Sequence, residues 1–150
     1  MFVASGQPQE IYWSHGGRHL AYTRWQGDHN EWWLIPNVTE GGVPVRLTQG
    51  TCWDFTWSTD ADWALWRTGN GADGKLHTCN VARASTDLLL AEDVAGLLWS
   101  NDGARLAVLT ADETEVVAFA KQGNVLVELA RLRSTTGAFA SWFYWQPVPR

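Results

Sequence analysis

The side chains that could carry chemistry in this sequence are four histidines and two short acidic groups. None has the spacing of a known catalytic or metal site. The acidic groups lie in expected turns, where solvated carboxylates are more common than a paired acid and base. Two histidines flank a turn and a third lies at a loop tip, and for all four a structural role is more common than catalysis or metal ligation. These residues are His15, His19, His29 and His77, with Asp60, Asp62, Asp112, Glu113 and Glu115.

Motifs with an established mechanism are also missing from the sequence. There is no nucleophile elbow, no Walker loop and no paired-histidine zinc motif. The glycine-rich stretch from Thr68 to Leu76 lacks the Gly-Lys-Ser/Thr ending of a phosphate loop, and we interpret it as a hairpin loop. Cys52 and Cys79 form neither a disulfide framework nor a metal site. We therefore expect no catalytic residue, no metal and no cofactor, and we interpret the protein as a non-enzyme.

Tryptophan is the unusual feature of the composition, with 11 residues in 150. Many belong to no repeated position, and these lie in the first half of the chain. One interpretation is packing inside the fold. The other is a binding surface, because tryptophan contributes a large contact area and a polar N–H group to protein interfaces. On the second interpretation we predict that the partner-contacting residues are Trp32, Trp33, Trp53, Trp63 and Trp66.

Charge and length narrow the class of protein. The chain has the length of a single domain, a net charge of −5 and 45% apolar residues. Its 11 basic residues are scattered, which disfavours nucleic acids and anionic membranes as partners. The first ten residues lack a basic segment and a long apolar run, so we expect no signal peptide and a cytoplasmic location. No stretch has the length of a membrane-spanning helix.

Four tryptophans recur at nearly constant spacing. Trp13, Trp57, Trp99 and Trp145 are separated by 44, 42 and 46 residues. An apolar residue stands two positions before each of these anchor tryptophans, which is the period of one strand face. A polar turn and a second apolar run follow the first three anchors, as in a β-hairpin. The second turn lacks glycine, and we expect it to be the weakest of the three.

Each repeat contains two further candidate strands. In the third repeat, residues 114–132 contain helix-forming residues, but Gly123-Asn124 interrupts them, and we interpret them as a hairpin. Four short strands in every 42–46 residues are typical of β-propeller blades. We predict an all-β fold of three four-stranded antiparallel blades at about residues 10–50, 54–93 and 96–133, with an extra strand at about 138–146.

The repeats resemble those of TolB-like propellers. The matching residues in the first repeat are Trp13-Ser14, Gly17, Leu20-Ala21-Tyr22, Gly41-Gly42 and Arg46-Leu47-Thr48. The third repeat matches at Trp99-Ser100, Asp102-Gly103 and Leu106-Ala107, and the second keeps Trp57-Ser58 and Asp60. The proline that the family places in this turn is absent from all three repeats. The resemblance implies the fold and a role in protein–protein contacts.

Three blades are too few for a closed propeller, which needs about 4–8. We predict a half-propeller completed by oligomerisation, with two chains forming a six-bladed ring. A fragment of a longer propeller, another oligomer and a capped monomer are the alternatives. The aromatic C-terminal segment is predicted to dock on a neighbouring blade or to pair with Phe2-Val3-Ala4. The predicted self-association residues are Phe139, Trp142, Phe143, Tyr144 and Trp145.

Two function classes remain open at this point. The first is a self-associating interaction module that binds a protein or peptide. The alternative is a carbohydrate-binding, lectin-like propeller. Lectin sites repeat with the blades, whereas the additional tryptophans do not recur in the third repeat, which favours the interaction module.

Overall fold

The computed structural model describes residues 8–50, 52–69 and 73–135, which form three four-stranded antiparallel sheets. The predicted strand at 138–146, the self-association residues within it and the Phe2-Val3-Ala4 segment lie outside the described residues. Each sheet is a run of neighbouring strands in chain order, so the three sheets are the three predicted blades. Blade 1 contains β1 (Pro8–Trp13), β2 (Leu20–Trp25), β3 (Asn30–Ile35) and β4 (Val45–Arg46). Blade 2 contains β5 (Cys52–Trp57), β6 (Trp63–Thr68), β7 (Lys75–Asn80) and β8 (Ser85–Leu90). Blade 3 contains β9 (Val94–Trp99), β10 (Arg105–Thr110), β11 (Glu115–Gln122) and β12 (Val125–Arg133).

The first hairpin of every blade has the same register. Each anchor tryptophan pairs with the residue seven positions later: Trp13 with Leu20, Trp57 with Ala64, and Trp99 with Leu106. The third repeat forms the predicted hairpin, because Gly123 adopts a positive φ of 60° and lets Gln122 pair with Val125. Two short 3-10 turns, His15–Gly17 and Val38–Glu40, complete the described elements.

The serine after each anchor organises the turn that follows it. Its hydroxyl accepts a hydrogen bond from the backbone N–H five residues later, at 2.9–3.0 Å in all three blades. In blades 2 and 3 the hydroxyl also donates to an aspartate two residues on, at 2.6 Å in each case. These hydrogen bonds explain why a serine follows the anchor in each blade. The serines and aspartates are Ser14, Ser58, Ser100, Asp60 and Asp102.

The fourth strand of blade 1 is shorter than the sequence pattern suggests. The sequence pattern predicts a strand over residues 43–49, but the strand contains only Val45 and Arg46. Pro44 cannot donate a ladder hydrogen bond, which limits the strand on its N-terminal side. The Leu47 N–H still donates to the Trp32 carbonyl at 2.9 Å, so the pairing continues for one residue beyond the strand.

The core lies between the blades. We call the face of each blade that carries its anchor the leading face, and the opposite one the trailing face. One buried cluster joins the trailing face of blade 1 to the leading face of blade 2, and a second joins blade 2 to blade 3. In 8–50, 52–69 and 73–135, no helix is long and apolar enough to cross a membrane.

Candidate functional site

On the leading face of blade 1 the β1 side chains are exposed, whereas the anchors at the matching positions of blades 2 and 3 are covered. Trp57 and Trp99 are each 8% exposed because the preceding blade packs on them. Trp13 is 55% exposed and Ile11, two residues before it, is 58% exposed. The same positions therefore have two environments in one chain. We call the exposed surface formed by Ile11 and Trp13 the open face.

The tryptophans predicted to contact a partner lie in different environments. Trp32, Trp63 and Trp66 are almost completely buried between the blades. Trp33 is half-buried, donates its indole N–H to Glu31 at 3.1 Å and is stacked beside Tyr22. Trp53 is 43% exposed at the start of β5. Burial places the first three in packing positions, and a binding role for this set stays a prediction.

Three aromatic rings, from β1, β3 and β5, pack together between blades 1 and 2, and the Tyr12 side chain remains 37% exposed. The Tyr12 ring centroid lies 5.3 Å from that of Trp32 and 5.6 Å from that of Phe55. The Trp32 and Phe55 centroids are 4.7 Å apart. Trp57 adds a hydrogen bond from its indole N–H to the Tyr12 carbonyl at 3.2 Å. Large rings thus close this contact.

The phenol of Tyr12 lies near acidic side chains. Burial raises its pKa, and the negative charges of Glu10 and Asp54 raise it further. Because the protonated phenol is favoured there, the hydroxyl is a hydrogen-bond donor in an acidic setting.

Smaller side chains occupy the matching positions between blades 2 and 3. Thr56 stands where blade 1 has Tyr12, since each immediately precedes an anchor. Leu76 pairs with Arg67 in blade 2 in the way that Trp32 pairs with Thr23 in blade 1. Leu76 therefore takes the position that Trp32 has in blade 1. Leu97 replaces Phe55, two residues before the anchor. Thr56 and Leu97 line a cavity of about 350 Å³ between these blades, which we call the β5–β9 cavity. It is lined by Asp54, Phe55, Thr56, Arg67, Val94, Ala95, Gly96 and Leu97.

Arg67 is the cationic group of this cavity. Its Nη1 donates to Asp93 Oδ1 at 3.0 Å and to the Val94 carbonyl at 2.8 Å, which fixes the guanidinium. Its other terminal nitrogen forms an ion pair with Asp54. The Nε atom is buried and has no hydrogen-bond partner. The two terminal nitrogens of the guanidinium are thus held by neighbouring groups, whereas its Nε forms no hydrogen bond.

Asp54 is held at the rim of the β5–β9 cavity by an irregularity in β5. The register with β6 shifts between Trp53 and Thr56, and Asp54 adopts a positive φ of 45°. A bulge of this kind redirects a side chain. The Asp54 side chain is 62% exposed, so its carboxylate retains contact with solvent.

Two other inter-blade cavities have different walls. One, of about 350 Å³, lies between β7–β8 and β12 and is lined in part by Thr78, Arg83 and Asp87. Another, of about 320 Å³, lies between blades 1 and 2 near His19 and Asp62.

Two of the histidines have structural roles. His19 accepts a hydrogen bond from the Asn37 N–H at 3.0 Å and stacks against Trp57, and burial lowers its pKa. His77 contacts the Thr68 hydroxyl at 2.8 Å and stacks against Trp66, and burial lowers its pKa as well. Within the described ranges, no three His, Cys, Asp or Glu side chains are placed to hold one metal ion.

Sequence reasoning did not identify Arg67, Asp54 or Thr56 as site residues. The signal was present in the repeat alignment, since Tyr12 and Thr56 stand directly before their anchors. A change from a ring to a small side chain at matched positions indicates lost volume at one contact. The ion pairs of Arg67 join residues from β5, β6 and the start of β9, which spacing alone does not place together.

No protein-family profile matches the chain. Among curated proteins, a glycerol kinase of Leifsonia xyli subsp. xyli is 34% identical over 70 residues, which is 47% of this chain but 12% of the kinase. Because the match covers so little of the kinase, it assigns no kinase activity to this chain.

Solved structures of low sequence identity share the fold. The β-propeller domain of the Trilobed protease from Pyrococcus furiosus superposes with a TM-score of 0.59 at 11% identity, covering 91% of this chain and 45% of that one. TolB from Acinetobacter baumannii gives 0.54 at 16%, covering 89% and 34%. The N-terminal domain of Nup159 gives 0.56 at 11%, covering 86% and 31%.

The chain spans less than half of each of these three structures. At such identities the likeness concerns the fold. It agrees with the strand order and with the repeated anchors. The chain therefore has a β-propeller fold, and its three sheets are consecutive blades of the kind found in TolB.

Proposed function

We propose that the chain is a non-enzymatic interaction module, a half-propeller that pairs with a second copy and binds a protein or peptide partner. The observation that carries the pairing is the contrast between Trp13 and its counterparts Trp57 and Trp99. An exposed aromatic and aliphatic surface is unfavourable in water and is typical of interaction sites. The matched positions indicate the kind of surface that would cover it: the trailing face of another blade.

A second copy can supply that blade. If blade 3 of one chain covers the open face of the other, and the reverse contact forms by two-fold symmetry, the ring has six blades. That number lies within the range of about 4–8 blades in closed propellers. The predicted self-association residues belong to this proposal as a further part of the interface; they are Phe139, Trp142, Phe143, Tyr144 and Trp145.

Two observations support a binding role over catalysis. The candidate site consists of an apolar face and a cavity with one anchored arginine, and it lacks a nucleophile paired with a base. The structurally similar proteins include TolB and Nup159 as well as a protease. The part of that protease that resembles this chain is its propeller domain. A cytoplasmic location, expected from the sequence, completes the proposal.

The mass of the chain in solution tests the pairing. Light scattering on the purified protein is expected to give twice the chain mass of 16.8 kDa. Trp13→Lys and Ile11→Lys place a charge in the proposed contact and are expected to give the single-chain mass. Leu88→Lys is the matched control, because Leu88 is similarly exposed but lies on the middle blade, away from both ends of the stack.

A single-chain mass for the unaltered protein at all concentrations would contradict the pairing. So would a double mass that persists in both charged variants. If Leu88→Lys also lost the double mass, the effect would be one of general destabilisation or of another interface.

A further inference from the structure

We infer that the β5–β9 cavity is a socket for a tyrosine side chain of the bound peptide or protein. The inference deepens the binding part of the proposed function and does not depend on the pairing of two chains. It rests on the shape of the cavity, on the polar groups at its rim, and on the corresponding contact between blades 1 and 2.

The two contacts between blades differ in the side chains that occupy matching positions. Between blades 1 and 2, a tyrosine ring from β1 lies against Trp32 and Phe55. Between blades 2 and 3, Thr56, Leu76 and Leu97 take the three matching positions, and Thr56 and Leu97 line the β5–β9 cavity. Strands β5 and β9 supply most of the walls, and the matching strands β1 and β5 hold the Tyr12 ring in the first contact. Its volume lies at the small end of ligand pockets, about 300–1,000 Å³.

A carboxylate at the rim of the β5–β9 cavity favours a ring that carries a hydroxyl. Tyr12 lies beside Glu10, the residue three positions before its anchor, and Asp54 is the matching residue of blade 2. A phenol placed in the β5–β9 cavity as Tyr12 is placed in its own contact would donate to Asp54. Phenylalanine cannot form this hydrogen bond.

The anchored arginine favours this occupant over a free anion. Two carboxylates, Asp54 and Asp93, already pair with Arg67, so the local charge is negative before any ligand binds. A carboxylate ligand would meet like charge, whereas a neutral phenol would not. Burying one aromatic side chain in a pocket, with a polar atom satisfied at its rim, is how anchor residues act at protein interfaces.

Nuclear magnetic resonance on the full chain tests the socket directly. The probe is N-acetyl-L-tyrosinamide, titrated while the backbone amide signals are followed. We expect saturable shifts confined to the amides of residues 54–56 and 94–97, with a dissociation constant on the order of 1 mM for so small a ligand. N-acetyl-L-phenylalaninamide is expected to bind about fivefold more weakly, because it lacks the hydroxyl.

Filling the cavity from its own wall is the decisive variant. Thr56→Tyr places in blade 2 the residue that blade 1 has at the matching position, and the probe is expected to lose its shifts. Leu97→Phe fills the space from the opposite wall and serves if Thr56→Tyr fails to fold. Thr86→Tyr is the control, a threonine-to-tyrosine change at an exposed position of β8 that leaves the cavity empty.

Several outcomes would overturn the socket. These are the absence of saturable shifts, shifts spread over other surfaces, equal binding of the two probes, and full binding by Thr56→Tyr or Leu97→Phe. The pairing of two chains is separated from the socket by Trp13→Lys. That variant is expected to keep the probe shifts while its mass falls to that of one chain.

Discussion

Ala61 adopts a backbone conformation that glycine adopts at the matching position of the other two blades. Its φ is +67°, against +69° for Gly17 and +68° for Gly103. All three donate a backbone hydrogen bond to the serine carbonyl three residues earlier, at 2.8–2.9 Å. A side chain in this left-handed region costs about 1–2 kcal/mol. The sequence-based expectation that the second turn is the weakest therefore has a physical basis in one residue.

Ala61→Gly is expected to stabilise the protein. Relief of the left-handed strain outweighs the extra entropy of glycine in the unfolded chain, which costs about 0.4–1 kcal/mol, so a net gain of roughly 0.5 kcal/mol should appear. Urea unfolding measures it as a higher midpoint with an unchanged slope. Gly103→Ala should do the opposite, because its new Cβ would lie 2.9 Å from the Asp60 carboxyl carbon. A lower midpoint for Ala61→Gly would refute this account.

The two cysteines give a second test at the residue scale. Cys52 and Cys79 are buried free thiols in β5 and β7, and burial raises the pKa of each to about 12. Since the thiolate is the reactive form, neither should react with Ellman's reagent in the folded protein at pH 8. We expect a rate roughly a thousandfold below that of the unfolded chain. Guanidinium should expose both thiols, and rapid native labelling would show that blade 2 opens readily.

Among the strands, β12 depends on charge more than on burial. Most of its residues are exposed, and its pairing with β11 is reinforced around Glu115. Arg131 donates to one carboxylate oxygen at 2.8 Å and Arg133 to the other at 2.6 Å. Arg131 also reaches Glu92 of blade 2 at 2.8 Å. One carboxylate thus connects the outer strand to its own blade, and Arg131 continues the network to the next.

The Glu115 network predicts a pH dependence of stability. Hydrogen bonds from Arg131 and Arg133 lower the pKa of Glu115 below its ordinary 4.5. Because the folded state favours the carboxylate, its contribution is fully present above pH 4.5 and is lost as pH falls through the lowered pKa. Glu115→Gln should therefore have a lower urea midpoint than the unaltered protein at pH 7. The difference should close in the acid range, and a constant difference from pH 7 to pH 2 would count against the argument.

The strands could be predicted because their signal is local. Each depends on an alternation of apolar residues and on the turn beside it, and the Trp-Ser pair marks both. The truncation of β4 also has a local cause in Pro44, although the alternation masked it. The β5–β9 cavity has no local cause, since it depends on Thr56 and Leu97, which lie 41 residues apart in different blades. The alternation in Trp32-Trp33 assigns the two rings to opposite faces but does not show which face another blade covers.

For the whole molecule, the unequal ends of the stack set its behaviour in solution. In the proposed pair, the partner covers the open face of blade 1, so the pair gains the burial of Ile11 and Trp13. A folded state stabilised by association becomes more stable as protein concentration rises. The stability of the proposed ring is thus tied to concentration, whereas that of a self-capped monomer is not.

The melting temperature should therefore rise with protein concentration. We expect an increase on the order of 2 °C for each tenfold increase, measured by scanning calorimetry over a hundredfold range. Trp13→Lys should show a lower melting temperature without this dependence, and Leu88→Lys should keep it. A melting temperature independent of concentration in the unaltered protein, together with a single-chain mass, would mean that three blades fold without a partner copy. The open face would then be available to a different protein, and the cavity between β5 and β9 would still be tested independently by the tyrosine probe.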